Sequence, residues 1–309
     1  MPRMVPSDAL KVWLYAAAAV WLGTWTSPLL YNFGKAIAEV CENKQTIGLI
    51  EWLAGMCRTA DFPAFFKAAI WMAAAGLFYP FLKSLSGGWM VWKQGLQKNP
   101  NGLRQLAVGF SSVAMGILFL IATTVLIKNH GQTIPVDVLA KISVGAISRA
   151  LASAAMQEFF YQGLVLGIFL RSMPRPAAIV LMAAFFALTH FIEPPVGVNV
   201  ADPDAAGVGF ELLGKLFNPF PNLGTWILSW IPLVGLGGIL AYARCATSSL
   251  ALPIGIHGGW IFANHFSMML AEKPLQQGWP ALIGVMYIGY IVFRITRSHH
   301  VHIPPSSKV

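Results

Sequence analysis

Charged residues are scarce in this chain, and acidic residues are the scarcest of them. Asp and Glu together number 12 and Lys and Arg 21 among 309 residues, so charged residues make up 11% of the chain, whereas 56% of it is hydrophobic. Soluble domains carry about 25% charged residues. With a mean hydropathy of +0.63, the composition excludes a soluble globule and predicts an integral membrane protein, whose first partner is the lipid bilayer.

Common site signatures are missing as well. The sequence has no H-E-x-x-H zinc helix, nucleophile elbow, phosphate-binding loop or dinucleotide fingerprint. Its net charge of +9 comes from basic residues at the ends of apolar segments, which membrane orientation explains better than nucleic acid does. We therefore expect no nucleic-acid partner.

Cysteine is rare, with three residues in the chain. Cys41 and Cys57 share one predicted outside loop, and a disulfide between them stays open because sequence does not fix their geometry. Cys245 lies near the predicted inner face. None of the three has a neighbouring His or second Cys at metal or redox spacing, so we assign them no chemistry.

Long apolar stretches are abundant, and they predict an all-α polytopic membrane protein with a single bundle of about eight transmembrane helices. The stretches cover residues 12–30, 62–82, 103–127, 138–170, 177–192, 223–242, 248–270 and 279–293. Basic residues dominate the loops on one side, which predicts that both termini are cytoplasmic, and we expect a bacterial inner membrane. Residues 34–61 and 207–217 are predicted to hold short interfacial helices or loops that pack on the bundle.

One carboxylate, Glu158, lies in the middle of an apolar helix. A charged side chain at bilayer depth costs at least about 2.5 to 3.5 kcal/mol, so such residues generally have partners or a hydrated cavity. The expected partners are His190 and His257. At about 1.5 Å per residue, the three lie about 20, 22 and 15 Å from the inner ends of their helices and can meet in one layer.

A buried carboxylate and two imidazoles suit the hydrolysis of a peptide bond. Glu158 and His190 would take a proton from an attacking water. His257, with Asn264 on the same helix, would stabilise the negative oxygen that forms. Gln162, one turn after Glu158, is expected to brace the carboxylate.

Other interpretations of these residues stay open. Each histidine alone is more typical of a hydrogen bond between helices, and Glu158 could pair with Arg149. Two histidines and a carboxylate are also a possible zinc set, although we expect no cofactor and no metal. A proton-coupled transporter or channel would use the same groups as a relay.

The motifs resemble those of the CAAX prenyl proteases and bacteriocin-processing proteins, a family of intramembrane glutamic proteases with the motifs E-E-x-x-x-R, F-x-x-x-H and H-x-x-x-N/D. Phe186 and His190 match the second motif, His257 begins the third, and Glu158 matches the second glutamate of the first. The resemblance covers roughly residues 138–270. It implies an intramembrane endopeptidase that acts on membrane-associated proteins or peptides.

The first and third motifs depart from the family pattern. Gln157 stands at the first glutamate, Gln162 at the arginine and Ile261 at the asparagine. Either Glu158 serves as the base with Asn264 replacing the missing amide, or the protein is a degenerate member that binds a membrane partner or peptide. We expect three segments: motif-free helices over 1–137, the protease-like core over 138–270, and a last helix with a basic tail over 271–309.

Overall fold

The structure is a computed structural model, and it describes residues 6–42, 48–86, 99–128, 136–192, 194, 198–217, 223–271 and 278–300. Within these ranges most residues are helical and none forms a strand, which confirms the all-α prediction. Four of the described helices are long and apolar enough to cross a membrane: Phe62–Ser84, Gly102–Leu120, Trp230–Thr247 and Pro280–Arg297. The count of eight spans stays a prediction.

Most helices begin and end within a few residues of the predicted apolar stretches. The first helix differs, because it continues to Glu42 and takes in the first part of the stretch predicted as a loop over 34–61. In chain order they are α1 (Pro6–Glu42), α2 (Gly48–Thr59), α3 (Phe62–Ser84), α4 (Gly102–Lys128), α5 (Val136–Glu158), a π-helical segment (Phe159–Val165), α6 (Leu166–Ser172), α7 (Arg175–Phe191), α8 (Val208–Phe217), α9 (Leu223–Thr247), α10 (Ala251–Ala271) and α11 (Gly278–His300). The predicted helix over 138–170 is thus interrupted by a π-helical segment.

The chain divides into two compact units. The larger unit comprises the described residues within 89–187 and 224–309, and the smaller unit those within 6–88 and 188–223. The larger unit contains Glu158 and His257, whereas His190 belongs to the smaller one.

In the smaller unit, α8 packs its apolar face into a core with α3. Val208, Leu212 and Leu216 are buried there against Phe62 and Phe66. Of the two forms expected for residues 207–217, the chain takes a helix, and this helix packs on its neighbours.

Polar contacts fix the ends of helices in the same unit. The buried carboxylate of Asp8, near the start of α1, accepts hydrogen bonds from the Ser86 backbone N–H at 3.0 Å and from Lys11 Nζ at 2.9 Å. Lys35 Nζ donates to the carbonyl oxygens of Cys57, Arg58 and Ala60 at 2.9, 3.1 and 2.8 Å, which satisfies carbonyls at the end of α2.

In the larger unit, α10 packs against α4 and α5 through small residues. Backbone approach through glycine is a common way to associate helices within a membrane. A Cβ built on Gly255 would overlap the Leu106 carbonyl oxygen of α4, and one on Gly259 would lie 2.8 Å from the Phe110 carbonyl oxygen. The i, i+4 glycine pair therefore lets α10 lie directly on α4.

Cys41, Cys57 and Cys245 are all free thiols in the structure. The structure thus contains no disulfide between Cys41 and Cys57.

Candidate active site

Glu158 and His257 meet inside the larger unit. Glu158 Oε1 and His257 Nδ1 are 2.6 Å apart, and the two residues are 0% and 3% exposed. When the carboxylate is ionised it has no proton to give, so the proton between them lies on Nδ1, which donates. The contact is a buried hydrogen bond that joins α5 to α10, and it is charge-assisted when the carboxylate is ionised.

Glycines on α10 bring His257 to this position. Gly255 and Gly259 flank it and hold α10 on α4, as described above. Gly258 faces α5, where a Cβ would lie 3.0 Å from Leu151 Cδ2 and 3.6 Å from Ala154 Cβ. The three glycines thus set how closely the His257 backbone approaches both neighbouring helices.

The π-helical segment begins directly after Glu158. The backbone N–H of Leu166 donates to the Tyr161 carbonyl oxygen, five residues earlier, instead of four as in an α-helix. Short π-helical stretches of this kind are frequent at functional sites. The first motif therefore lies across the boundary between an α-helix and a π-helical segment.

Gln162, in the middle of the π-helical segment, differs from its prediction. The residue is buried, at 1% exposure, yet within the described part of the chain neither its Nε2 nor its Oε1 has a hydrogen-bond partner. Gln162 therefore does not brace Glu158, and that expectation was wrong. Glu158 Oε2 likewise has no hydrogen-bond partner among the described residues.

Aromatic rings form an apolar wall beside the pair. The Phe186 ring lies edge-to-face on the His257 ring with centroids 5.6 Å apart, and Tyr161 lies edge-to-face on Phe186 at 5.2 Å. A Cβ on Gly237 would lie 2.8 Å from Phe186 Cβ, so α9 approaches this ring through a glycine. Sequence reasoning missed Gly237, for which no motif signal exists.

Three further motif residues, Gln157, Asn264 and Ile261, lie on the same two helices as Glu158 and His257. Gln157 Nε2 donates to Ser153 Oγ at 2.9 Å on its own helix. Asn264 is half-buried and follows His257 by seven residues, about 10 Å along α10. Ile261 packs on a cluster that includes Phe262 and Phe266.

His190 follows Phe186 by one turn of α7 and is half-buried. It belongs to the smaller unit, and its role at Glu158 stays a prediction.

No group of three or more His, Cys, Asp or Glu residues able to hold a metal ion occurs within the described ranges. Glu158 and His257 would supply two ligands of the zinc set considered above. Neither that alternative nor the expectation of no cofactor is tested by this arrangement.

Comparison with known proteins agrees with the motifs. Residues 139–263 match a family model described as "Type II CAAX prenyl endopeptidase Rce1-like". No curated protein and no solved structure matches the chain. The match confirms the family resemblance over 125 of the 309 residues. Together with the apolar helices, it supports an integral membrane protein that is similar to a family of proteases.

Proposed function

We propose that this protein is an intramembrane endopeptidase in which Glu158 activates the attacking water. The observation that carries the proposal is the buried contact of Glu158 Oε1 with His257 Nδ1 at 2.6 Å. It joins the first and third motifs through side chains that can move a proton. The family match independently supports peptide-bond hydrolysis as the reaction.

The two carboxylate oxygens have different roles in this proposal. Oε1 is held by His257, whereas Oε2 has no hydrogen-bond partner in the described part of the chain. Oε2 therefore accepts the proton of a water as that water attacks the substrate carbonyl carbon. We assign orientation of the same water to His190, as the sequence predicts.

His257 stabilises the negative charge that develops on the substrate carbonyl oxygen. In the ion-paired form, Nδ1 donates to Glu158, and Nε2–H is the donor that we assign to the oxygen that becomes negative. Asn264 keeps its predicted role as a second donor. Breakdown of the intermediate returns the proton from Glu158 to the leaving amine.

Purified protein in liposomes tests this function. The substrates are an S-farnesylated CAAX peptide and a membrane proteome whose new termini are identified by mass spectrometry. Glu158→Ala and His257→Ala should each reduce cleavage by about 100-fold or more. Full activity in Glu158→Ala would exclude the proposed base.

Two matched controls lie on the same helices. Met156→Ala alters an exposed side chain on α5, and His265→Ala removes an exposed histidine from α10. Both should leave cleavage close to wild type. If His265→Ala lost as much activity as His257→Ala, the effect would belong to α10 as a whole.

A second candidate function is peptide binding without hydrolysis. Gln157 occupies the position of the first glutamate, and its side chain is hydrogen-bonded to Ser153 on its own helix, an arrangement that supplies no second carboxylate. A protein of this kind would bind the peptide and release it intact. Product analysis in the same liposome assay separates the two functions.

A further inference from the structure

Gln162 is a buried glutamine whose polar atoms meet no polar atom of the described chain. Another buried glutamine, Gln105, shows the usual arrangement. It is 7% exposed, and its Oε1 accepts a hydrogen bond from Asn99 Nδ2 at 3.1 Å. Gln162 is more deeply buried, at 1% exposure, and has no such partner.

A buried amide without a partner is unfavourable for folding. It gives up its hydrogen bonds to water and gains none in return, whereas a leucine of similar volume would not. Buried polar groups without partners are rare enough in native proteins that each needs an explanation. A ligand that enters the site and pairs with the amide provides one.

The position of Gln162 indicates which site this is. Hydrogen bonds in the π-helical segment join residues five apart, so Gln162, four residues after Glu158, comes just short of one full turn. It therefore lies near the side that carries Glu158, whose Oε2 is also without a described partner. Tyr161, next to Gln162, contacts the ring of Phe186, which contacts His257. An unsatisfied amide and an unsatisfied carboxylate oxygen thus occur close to the buried contact of Glu158 with His257.

The chemistry of the side chain indicates the kind of ligand. A primary amide presents a donor and an acceptor in one plane, and it is neutral. It matches the N–H and C=O groups of a peptide main chain, which offer the complementary pair. A cation or a phosphate would use only half of it.

We propose that Gln162 binds the main chain of the substrate, with its Nε2 donating to a peptide carbonyl oxygen and its Oε1 accepting from a peptide N–H near the bond that is cut. This inference rests on the proposed function for the identity of the site. It makes part of substrate recognition independent of the substrate's side chains.

Equilibrium binding tests the proposal without relying on cleavage. The probe is a fluorescent S-farnesylated CAAX peptide, titrated against the full chain in nanodiscs and followed by anisotropy. All measurements use a Glu158→Gln background, so that the peptide stays intact. Gln162→Leu should weaken binding about tenfold. Unchanged affinity in Gln162→Leu, or no saturable binding to the Glu158→Gln parent, would overturn the proposal.

Ester analogues of the peptide locate the hydrogen bond. Each analogue replaces one peptide N–H of the CAAX segment by oxygen. One analogue should bind the Glu158→Gln parent more weakly than the unmodified peptide does. The same analogue should bind Gln162→Leu as well as the unmodified peptide does, because the ester and the leucine remove the same hydrogen bond. If the affinity losses from the ester and from Gln162→Leu were additive at every position of the peptide, a direct hydrogen bond between Gln162 and a peptide N–H would be excluded.

Thermal unfolding separates binding from a structural role. Gln162→Leu removes an unsatisfied buried amide and should raise Tm by about 2 to 4 °C. The control Gln105→Leu removes a satisfied amide, and it should lower Tm and leave peptide affinity unchanged. A lower Tm for Gln162→Leu would mean that its amide is paired within the protein, which contradicts the proposal.

The two proposals fail in different ways. Loss of peptide affinity in Gln162→Leu, in a protein that never cleaves the peptide, would support main-chain binding and reject proteolysis. Cleavage that depends on Glu158, with the same KM in wild type and Gln162→Leu, would support proteolysis and reject main-chain binding.

Discussion

Gln157 Nε2 donates a hydrogen bond to Ser153 Oγ at 2.9 Å, one turn back along α5. We expect Gln157→Glu to give no more activity than wild type. The new carboxylate would accept a hydrogen bond from the Ser153 hydroxyl group, and it would place a second carboxylate next to Glu158. Initial rates of peptide cleavage in liposomes measure the effect.

The Gln157→Glu experiment also separates the two candidate functions. If the wild type is inactive and Gln157→Glu cleaves the peptide, the protein is a degenerate protease. Glu158 alone would then not be sufficient as the catalytic base. Ser153→Ala is the control, because it removes the hydroxyl while leaving Gln157 in place.

The Glu158–His257 pair should be strongly coupled in stability. His257→Leu leaves a buried carboxylate without its partner and should lower the free energy of unfolding by about 3 to 5 kcal/mol. Because Glu158→Leu/His257→Leu removes both buried polar groups, we expect the double variant to recover most of that loss. Unfolding in mixed detergent micelles measures all variants.

His265→Leu is the matched control for this cycle. The residue is exposed on the same helix, and its replacement should change stability by less than about 0.5 kcal/mol. Additive losses for Glu158→Leu and His257→Leu would show that the two side chains do not interact in solution.

Helix packing should control activity through Gly255. In Gly255→Ala, the new methyl group would overlap the Leu106 carbonyl oxygen, so α10 would have to move away from α4. Since His257 lies two residues further along α10, we expect a loss of cleavage together with a loss of stability of about 1 to 3 kcal/mol. Peptide cleavage and thermal unfolding check the two effects.

Gly167→Ala is the control for this substitution. A Cβ on Gly167 would meet nothing within 4 Å, and alanine favours a helix over glycine by about 1 kcal/mol. This variant should be slightly more stable and fully active. Equal damage from both substitutions would remove the argument from close packing.

Much of the fold follows from apolar length, since each helix of 20 or more apolar residues leaves a strong signal. The approach of Glu158 to a histidine was also predictable, because helix rise gave both side chains comparable depths. Helix rise depends only on sequence positions, so it does not show which oxygen of Glu158 contacts the histidine or which ring nitrogen faces that oxygen.

Other features had no local signal. The π-helical segment has no distinctive composition, so an ideal α-helix predicted a brace between Gln162 and Glu158 that the structure does not contain. The contact of Asp8 with the Ser86 backbone depends on tertiary packing between residues far apart in sequence. The Gly255 and Gly259 spacing was visible, but only the structure identifies α4 as the helix they face.

The π-helical segment also affects how the first motif is compared between proteins. A turn of the π-helical segment contains more residues than a turn of an α-helix. The side chains of α6 are therefore rotated about the helix axis relative to the positions that an uninterrupted α5 would give them. A helical wheel drawn with α-helical spacing from residue 153 to residue 171 therefore assigns wrong angles from Phe159 onward. An insertion or deletion in this stretch of a related sequence would rotate one half of the motif against the other, even where every motif letter is kept.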